Sequence, residues 1–146
     1  MQDLPHSYQV SADAKSSGNV VLSASGVADI LSAPPAEFGG PGDQWSPESL
    51  LVAAVADCFI LSFRAIARAS RLDWESLTCS VDGTLDAVDR VTQFTDFKVS
   101  ATLKLPAGSN EEKARRLLEK AEHVCLITNS LKAASHLEAT VHVAAA

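Results

Sequence analysis

The chain has 146 residues, is 47% hydrophobic and 5% aromatic, and carries a formal net charge of −6. That is the size of one domain, 1–146, with enough apolar material for a core built mostly of Ala, Val and Leu. The acidic balance argues against nucleic acid as a partner, and the longest basic run is Lys113-Ala114-Arg115-Arg116.

The opening residues Met1-Gln2-Asp3-Leu4-Pro5-His6 carry no cationic apolar leader. Residues 8–14 and 19–25 read as two short strands around Ser16-Ser17-Gly18, a hairpin signal, with a third short strand over 27–31. Pro34, Pro35, Gly39, Gly40, Pro41 and Gly42 then form a loop. Ser46 reads as the N-cap of a helix, with Pro47 at its first position and Glu48 in its first turn. This helix is expected to run to about Arg71. Its first half, 50–63, is apolar on nearly every face and should be buried all round. It is too short to span a bilayer, and Asp57 interrupts it. Arg64, Arg68 and Arg71 suit the negative end of the helix dipole.

Residues 74–86 and 94–105 read as two longer strands about a turn at Ala87-Val88-Asp89-Arg90. In the second, Phe97, Val99, Ala101, Leu103 and Leu105 alternate with Lys98, Ser100, Thr102 and Lys104, the pattern of a sheet with one buried face. Ser109 and Glu112 make a capping box for a helix continuing through Leu117, Leu118, Ala121 and Val124 to Cys125. Thr128 caps a further short turn, and 138–144 alternates as the last strand. This order of elements predicts an α+β fold with antiparallel sheet. A helix buried on every side needs more cover than one small sheet supplies. The pattern therefore predicts an intertwined dimer, with two such helices packed together between sheets.

Three cysteines, an odd number, do not make a secreted disulfide framework. They suggest a cytosolic protein, in which a thiol pair is catalytic or redox-sensing. Cys58 lies inside the apolar helix and Cys125 at the end of a later one. One reading makes them a peroxide-attacking thiol and the partner that resolves its sulfenic acid as a disulfide. The other makes each a small buried hydrophobe. Cys79, alternating with Leu77 and Val81, reads as core. Cys58 sits about three turns from the start of its helix, so the dipole does little for it. It needs a cation or a hydrogen-bond donor from elsewhere, and Asp57 is of the wrong sign and should point away. Glu48 is about 15 Å distant along the same helix and reaches Cys58 only across to a neighbouring copy or through an intermediary. His6, His123, His136 and His142 are scattered, so no metal site is expected.

The run Ser-Pro-Glu-x-Leu-Leu-x-Ala-Ala-x-Ala-x-Cys-Phe, from Ser46 to Phe59, resembles the signature helix of the osmotically inducible protein C and organic hydroperoxide resistance (OsmC/Ohr) superfamily. The preceding Gly39-Gly40-Pro41-Gly42 resembles the family's approach to that helix. Ala121-Glu122-His123-Val124-Cys125, followed by Thr128-Asn129-Ser130-Leu131, is similar to the second signature. The resemblance follows the element order over nearly the whole chain. It implies an OsmC-like fold, with antiparallel sheets around long central helices, in an intertwined homodimer with its sites at the subunit interface. It further implies that Cys58 attacks an organic hydroperoxide and Cys125 resolves it, with no metal or organic cofactor. A dithiol reductant, in this family often a lipoylated protein, would restore both thiols.

Glu48 matches the motif glutamate, which in the hydroperoxide reductases pairs with an arginine of the N-terminal hairpin. This chain departs there, since no arginine precedes Arg64. Lys15 is the nearest substitute, without the planar bidentate fork. Leu126 stands in place of the usual proline after the second cysteine. The missing arginine favours an alternative, a non-catalytic dimer of the same fold that binds a small apolar ligand between subunits. A thiol redox sensor is a weaker third reading, for want of a DNA-binding segment.

Overall fold

A computed structural model describes residues 1–146, which divide into two compact units, Met1–Leu51 and Val52–Ala146. In the first, β1 (Ser11–Asp13), β2 (Val20–Ser23) and β3 (Ile30–Ser32) form an antiparallel sheet in that order. β1 is shorter than the expected 8–14 because pairing with β2 ends at Ser11. The loop after β3 turns sharply at Gly40, where a Cβ would lie 1.7 Å from the Pro34 carbonyl oxygen, so only glycine fits. The Ala33 N–H donates to the Trp45 carbonyl at 2.8 Å, and the chain enters the next helix from there.

Helix α1 spans Pro47–Ala69. Its start is capped reciprocally. The Ser49 N–H donates to Ser46 Oγ at 3.1 Å, and the Ser46 N–H donates to Ser49 Oγ at 2.9 Å, so a serine stands in the capping-box place usually held by Glu or Gln. The helix stops two residues before the expected Arg71, which is itself left-handed at φ 53°. The Leu72 N–H reaches back to the Ala67 carbonyl at 2.9 Å, and Lys113 Nζ donates to the Ser70 carbonyl at 2.7 Å. These bonds satisfy carbonyls that the helix end would leave open.

In the second unit β4 (Ser76–Val88) pairs antiparallel with β5 (Val91–Leu105). Their connection is the two residues Asp89 and Arg90, both left-handed at φ 50° and 66°, a tighter turn than the four residues expected. Phe97, Val99, Ala101, Leu103 and Leu105 are all buried, as their alternation predicts. α2 (Glu111–Val124) is capped by Asn110, whose side chain accepts from the Lys113 N–H at 3.0 Å. The expected cap Ser109 instead donates to the Pro106 carbonyl at 2.6 Å. After a one-turn helix α3 (Leu126–Asn129), β6 (Ala134–Val143) begins four residues earlier than expected. β6 runs parallel to β5, the one pairing that departs from an antiparallel sheet. The helices α2 and α3 supply the long crossover that a parallel neighbour requires.

α1 packs on the inner face of this sheet. A Cβ at Gly83 would come within 2.9 Å of Val52 Cγ2 and 3.1 Å of the Phe97 ring. Val55, Phe59, Phe63 and Ala67, spaced four apart, are its buried stripe, joined by Ala114, Leu118 and Ala121 of α2. The expectation of burial on every side is not met within one chain, where Leu61 is 50% exposed. At 23 residues, with a mean hydropathy of 2.1 over its most apolar window, α1 is long and apolar enough to cross a membrane by those measures, which the shorter segment 50–63 had not suggested. Its stripe forms the protein core instead.

The turn gives a stability test. A side chain at positive φ strains the backbone by about 1–2 kcal/mol, part of which glycine gives back as flexibility in the unfolded chain. Arg90→Gly should raise stability by about 0.5–1 kcal/mol in urea denaturation, with the m-value unchanged.

Candidate functional site

Cys58 immediately precedes the buried Phe59 on α1, which leaves its thiol half-buried at the edge of the packed stripe. It opens onto a cavity of about 440 Å³. Ala54, Asp57, Cys58, Leu61 and Ser62 of α1 form one wall, and Leu126 and Ile127 of α3 the other. No Lys, Arg or His lines it. Ser62 Oγ lies 3.9 Å from Cys58 Sγ, one helical turn on. Asp57 was expected to point away from the thiol. It lines the same cavity, because neighbouring positions on a helix both reach a wide opening.

Cys125 sits where α2 ends and α3 begins, 2% exposed, with backbone φ −59° and ψ 107° that break the helix between them. Its carbonyl accepts from the Asn129 N–H at 3.0 Å and from Thr128 Oγ1 at 3.1 Å, which ties α3 to the break. Burial pushes the Cys125 thiol up from its ordinary value. Hydrogen bonds from the Thr128 side chain and backbone pull it down, and the neighbouring Cys58 thiol pushes it up again. The fold thus brings the two cysteines singled out in the sequence together as free thiols.

Residues 40–140 match the family model described as OsmC-like protein. The chain belongs to the OsmC-like family. This OsmC-like protein is similar to the uncharacterized protein YmaD of Bacillus subtilis, at 31% identity over 103 residues and 67% of each chain. An OsmC-like protein of unknown function from Vibrio cholerae superposes with a TM-score of 0.85 at 20% identity, covering 92% of this chain and 99% of that one. An organic hydroperoxide resistance protein, OsmC, from Legionella pneumophila superposes with a TM-score of 0.74 at 25% identity, over 97% and 100% of the two chains. The expected α+β, OsmC-like fold is therefore the fold of this chain.

The other two residues proposed for the site are not brought together in the single OsmC-like chain. Lys15 is exposed and forms no ion pair. Glu48, in the first turn of α1, has a buried Oε2 with no hydrogen-bond partner. No group of three or more His, Cys, Asp or Glu side chains is placed to hold a metal ion.

Alternation with Leu77 and Val81 predicts Cys79 in the core. Cys79 does point to the inner face of β4, opposite Ala101. Burial, and then the charge of Cys125, push its thiol up to about 11. Its strand alternation was a sufficient signal for the inward direction, but not for the company it keeps. Glu122, His123, Thr128, Asn129, Ala133 and Ser135 line a second cavity of about 340 Å³.

The raised thiols make stability depend on alkaline pH. Cys79 holds its proton more tightly in the fold than in the unfolded chain, where its value is about 9. Its contribution is complete below that pH and is lost as pH rises through about 11. Between pH 8.5 and 11 the wild-type melting temperature should therefore fall further than that of Cys79→Val, by roughly 2–5 °C.

Proposed function

We propose that this OsmC-like protein is a cytoplasmic, thiol-dependent peroxidase that reduces organic hydroperoxides through a Cys58/Cys125 disulfide cycle. The observation that carries the reading is a half-buried thiol at the wall of a largely apolar cavity, with a second, buried thiol coupled to it. The similarity to a Legionella protein named for organic hydroperoxide resistance supports it. The Cys58 thiolate attacks the distal peroxide oxygen. The O–O bond breaks, Cys58 becomes a sulfenic acid, and the alkoxide leaves and takes a proton from water. The Cys125 thiol then condenses with the sulfenic acid, releasing water and forming the disulfide. A dithiol reductant, such as a lipoylated protein, exchanges with that disulfide and restores both thiols. Leu61, Leu126 and Ile127 suit an apolar hydroperoxide better than hydrogen peroxide.

Lys15 is proposed to supply positive charge to Cys58, with the unpartnered Glu48 carboxylate holding it, in a homodimer. The exposed apolar flank of α1 supports the dimer, since only 22% of its most apolar window is buried in one chain. Light scattering at micromolar concentration should give twice the chain mass, and a stable monomer would contradict the assembly.

Wild type should consume cumene hydroperoxide in the presence of dihydrolipoamide at a modest rate, raised severalfold by Lys15→Arg. Cys58→Ser should abolish consumption. Cys125→Ser should leave a single turnover and block recycling. A cavity without a lining cation also suits the second reading, a non-catalytic dimer that binds a small apolar ligand. Equal, slow consumption by wild type and Cys58→Ser would favour that reading.

A further inference from the structure

We propose that Ser62 is a hydrogen-bond donor that stabilises Cys58 as a thiolate, alongside the charge proposed for Lys15. The proposal rests on the reading of Cys58 as the attacking thiol. A serine inside a helix ordinarily donates to the carbonyl four residues earlier. Ser62 does not. The one hydrogen-bonding partner of its hydroxyl is the Cys58 sulfur, 3.9 Å away.

Apart from the buried Cys125 thiol, which also hydrogen-bonds Cys58 from outside the lining, the cavity offers one donor. Its lining holds apolar residues, the thiol itself, Asp57 and Ser62. Ionised Asp57 only accepts hydrogen bonds. Ser62 is therefore the one lining side chain that can donate to a sulfur anion. A contact of 3.9 Å is long, as befits a neutral thiol, which is a weak acceptor. The bond strengthens once the acceptor carries charge. Both side chains are half-buried on the same helix, so no element has to move to make it.

Ser62 keeps its own proton throughout. The thiol proton passes to solvent when the thiolate forms. The sulfur electron pair then bonds the distal peroxide oxygen as the O–O bond breaks, and water protonates the departing alkoxide. The hydroxyl sets how much thiolate is present without being consumed.

The test is alkylation by iodoacetamide across pH 5.5–9.5, read by mass spectrometry on the peptide that contains Cys58. Ser62→Ala should slow alkylation at pH 7 by roughly three- to tenfold and displace the pH–rate profile to higher pH. Ser62→Thr, which keeps the hydroxyl, should restore most of the rate. Alanine is a good helix former at a half-exposed site, so thermal melting should show Ser62→Ala folded. Superimposable profiles for wild type and folded Ser62→Ala would overturn the proposal. Peroxide turnover separates it from the peroxidase reading. Alkylation that depends on Ser62 in a protein inert to cumene hydroperoxide refutes the peroxidase alone. Turnover with alkylation indifferent to Ser62 refutes the role of Ser62 alone.

Discussion

The site depends on one packing contact, the stripe Val55, Phe59, Phe63 and Ala67 of α1 on the inner face of the β4–β5 sheet. Burying side chains of this kind is worth about 1.5–3 kcal/mol for each large one, so the rotation of the helix about its own axis is firmly set. Phe63 adds an edge-to-face contact with Trp74, their centroids 5.5 Å apart. Gly83 removes the one side chain that would hold Val52 off the sheet. Once that rotation is fixed, the residue preceding each buried phenylalanine lies at the edge of the contact. Cys58 precedes Phe59 and Ser62 precedes Phe63. Their thiol and hydroxyl therefore share a rim of the helix, one turn apart, as a consequence of where the aromatic rings must go.

The rim carries one acidic side chain, Asp57, and no basic one. Behind the pair, burial is the largest influence on both Cys79 and Cys125, and each also feels a neighbouring sulfur. Only the hydroxyl and backbone of Thr128 act the other way, on Cys125. The buried thiols of Cys79 and Cys125 therefore hold their protons more tightly than free cysteine does. Cys58 is the thiol of the three that opens onto the cavity.

Much of this was legible in the sequence, where side-chain period and burial agree. Phe97 to Leu105 alternate as written, and the Ser46-Pro47-Glu48 start fixed the beginning of α1. Errors arose where two local choices were nearly equal. Ser109 and Asn110 are both good caps, and the Pro106 carbonyl decided between them by engaging the Ser109 hydroxyl. The turn at Asp89 and Arg90 was read as too long because neither residue is glycine, although both adopt positive φ. β6 extends four residues ahead of the alternating run 138–144, and Ser135 takes an inward position there. The surroundings of the thiols were the least legible. Local patterning reports which way a side chain points. It does not report that Asp57 lines the same opening as Cys58, or that Cys79 lies within electrostatic reach of Cys125.

The junction between α2 and α3 breaks at Cys125 with no proline after it. A proline at that position would break the helix through its ring and its missing N–H. Leu126 does neither, so the break must be stabilised by other means. Asn129 supplies them twice. Its side chain donates to the His123 carbonyl at 3.2 Å and its N–H to the Cys125 carbonyl at 3.0 Å, while Thr128 Oγ1 shares the latter acceptor. Hydrogen bonds thus do the work of the ring. The position they release is taken by a side chain 65% exposed that lines the cavity opposite Cys58. Leu126 thereby adds apolar surface to the cavity onto which Cys58 opens.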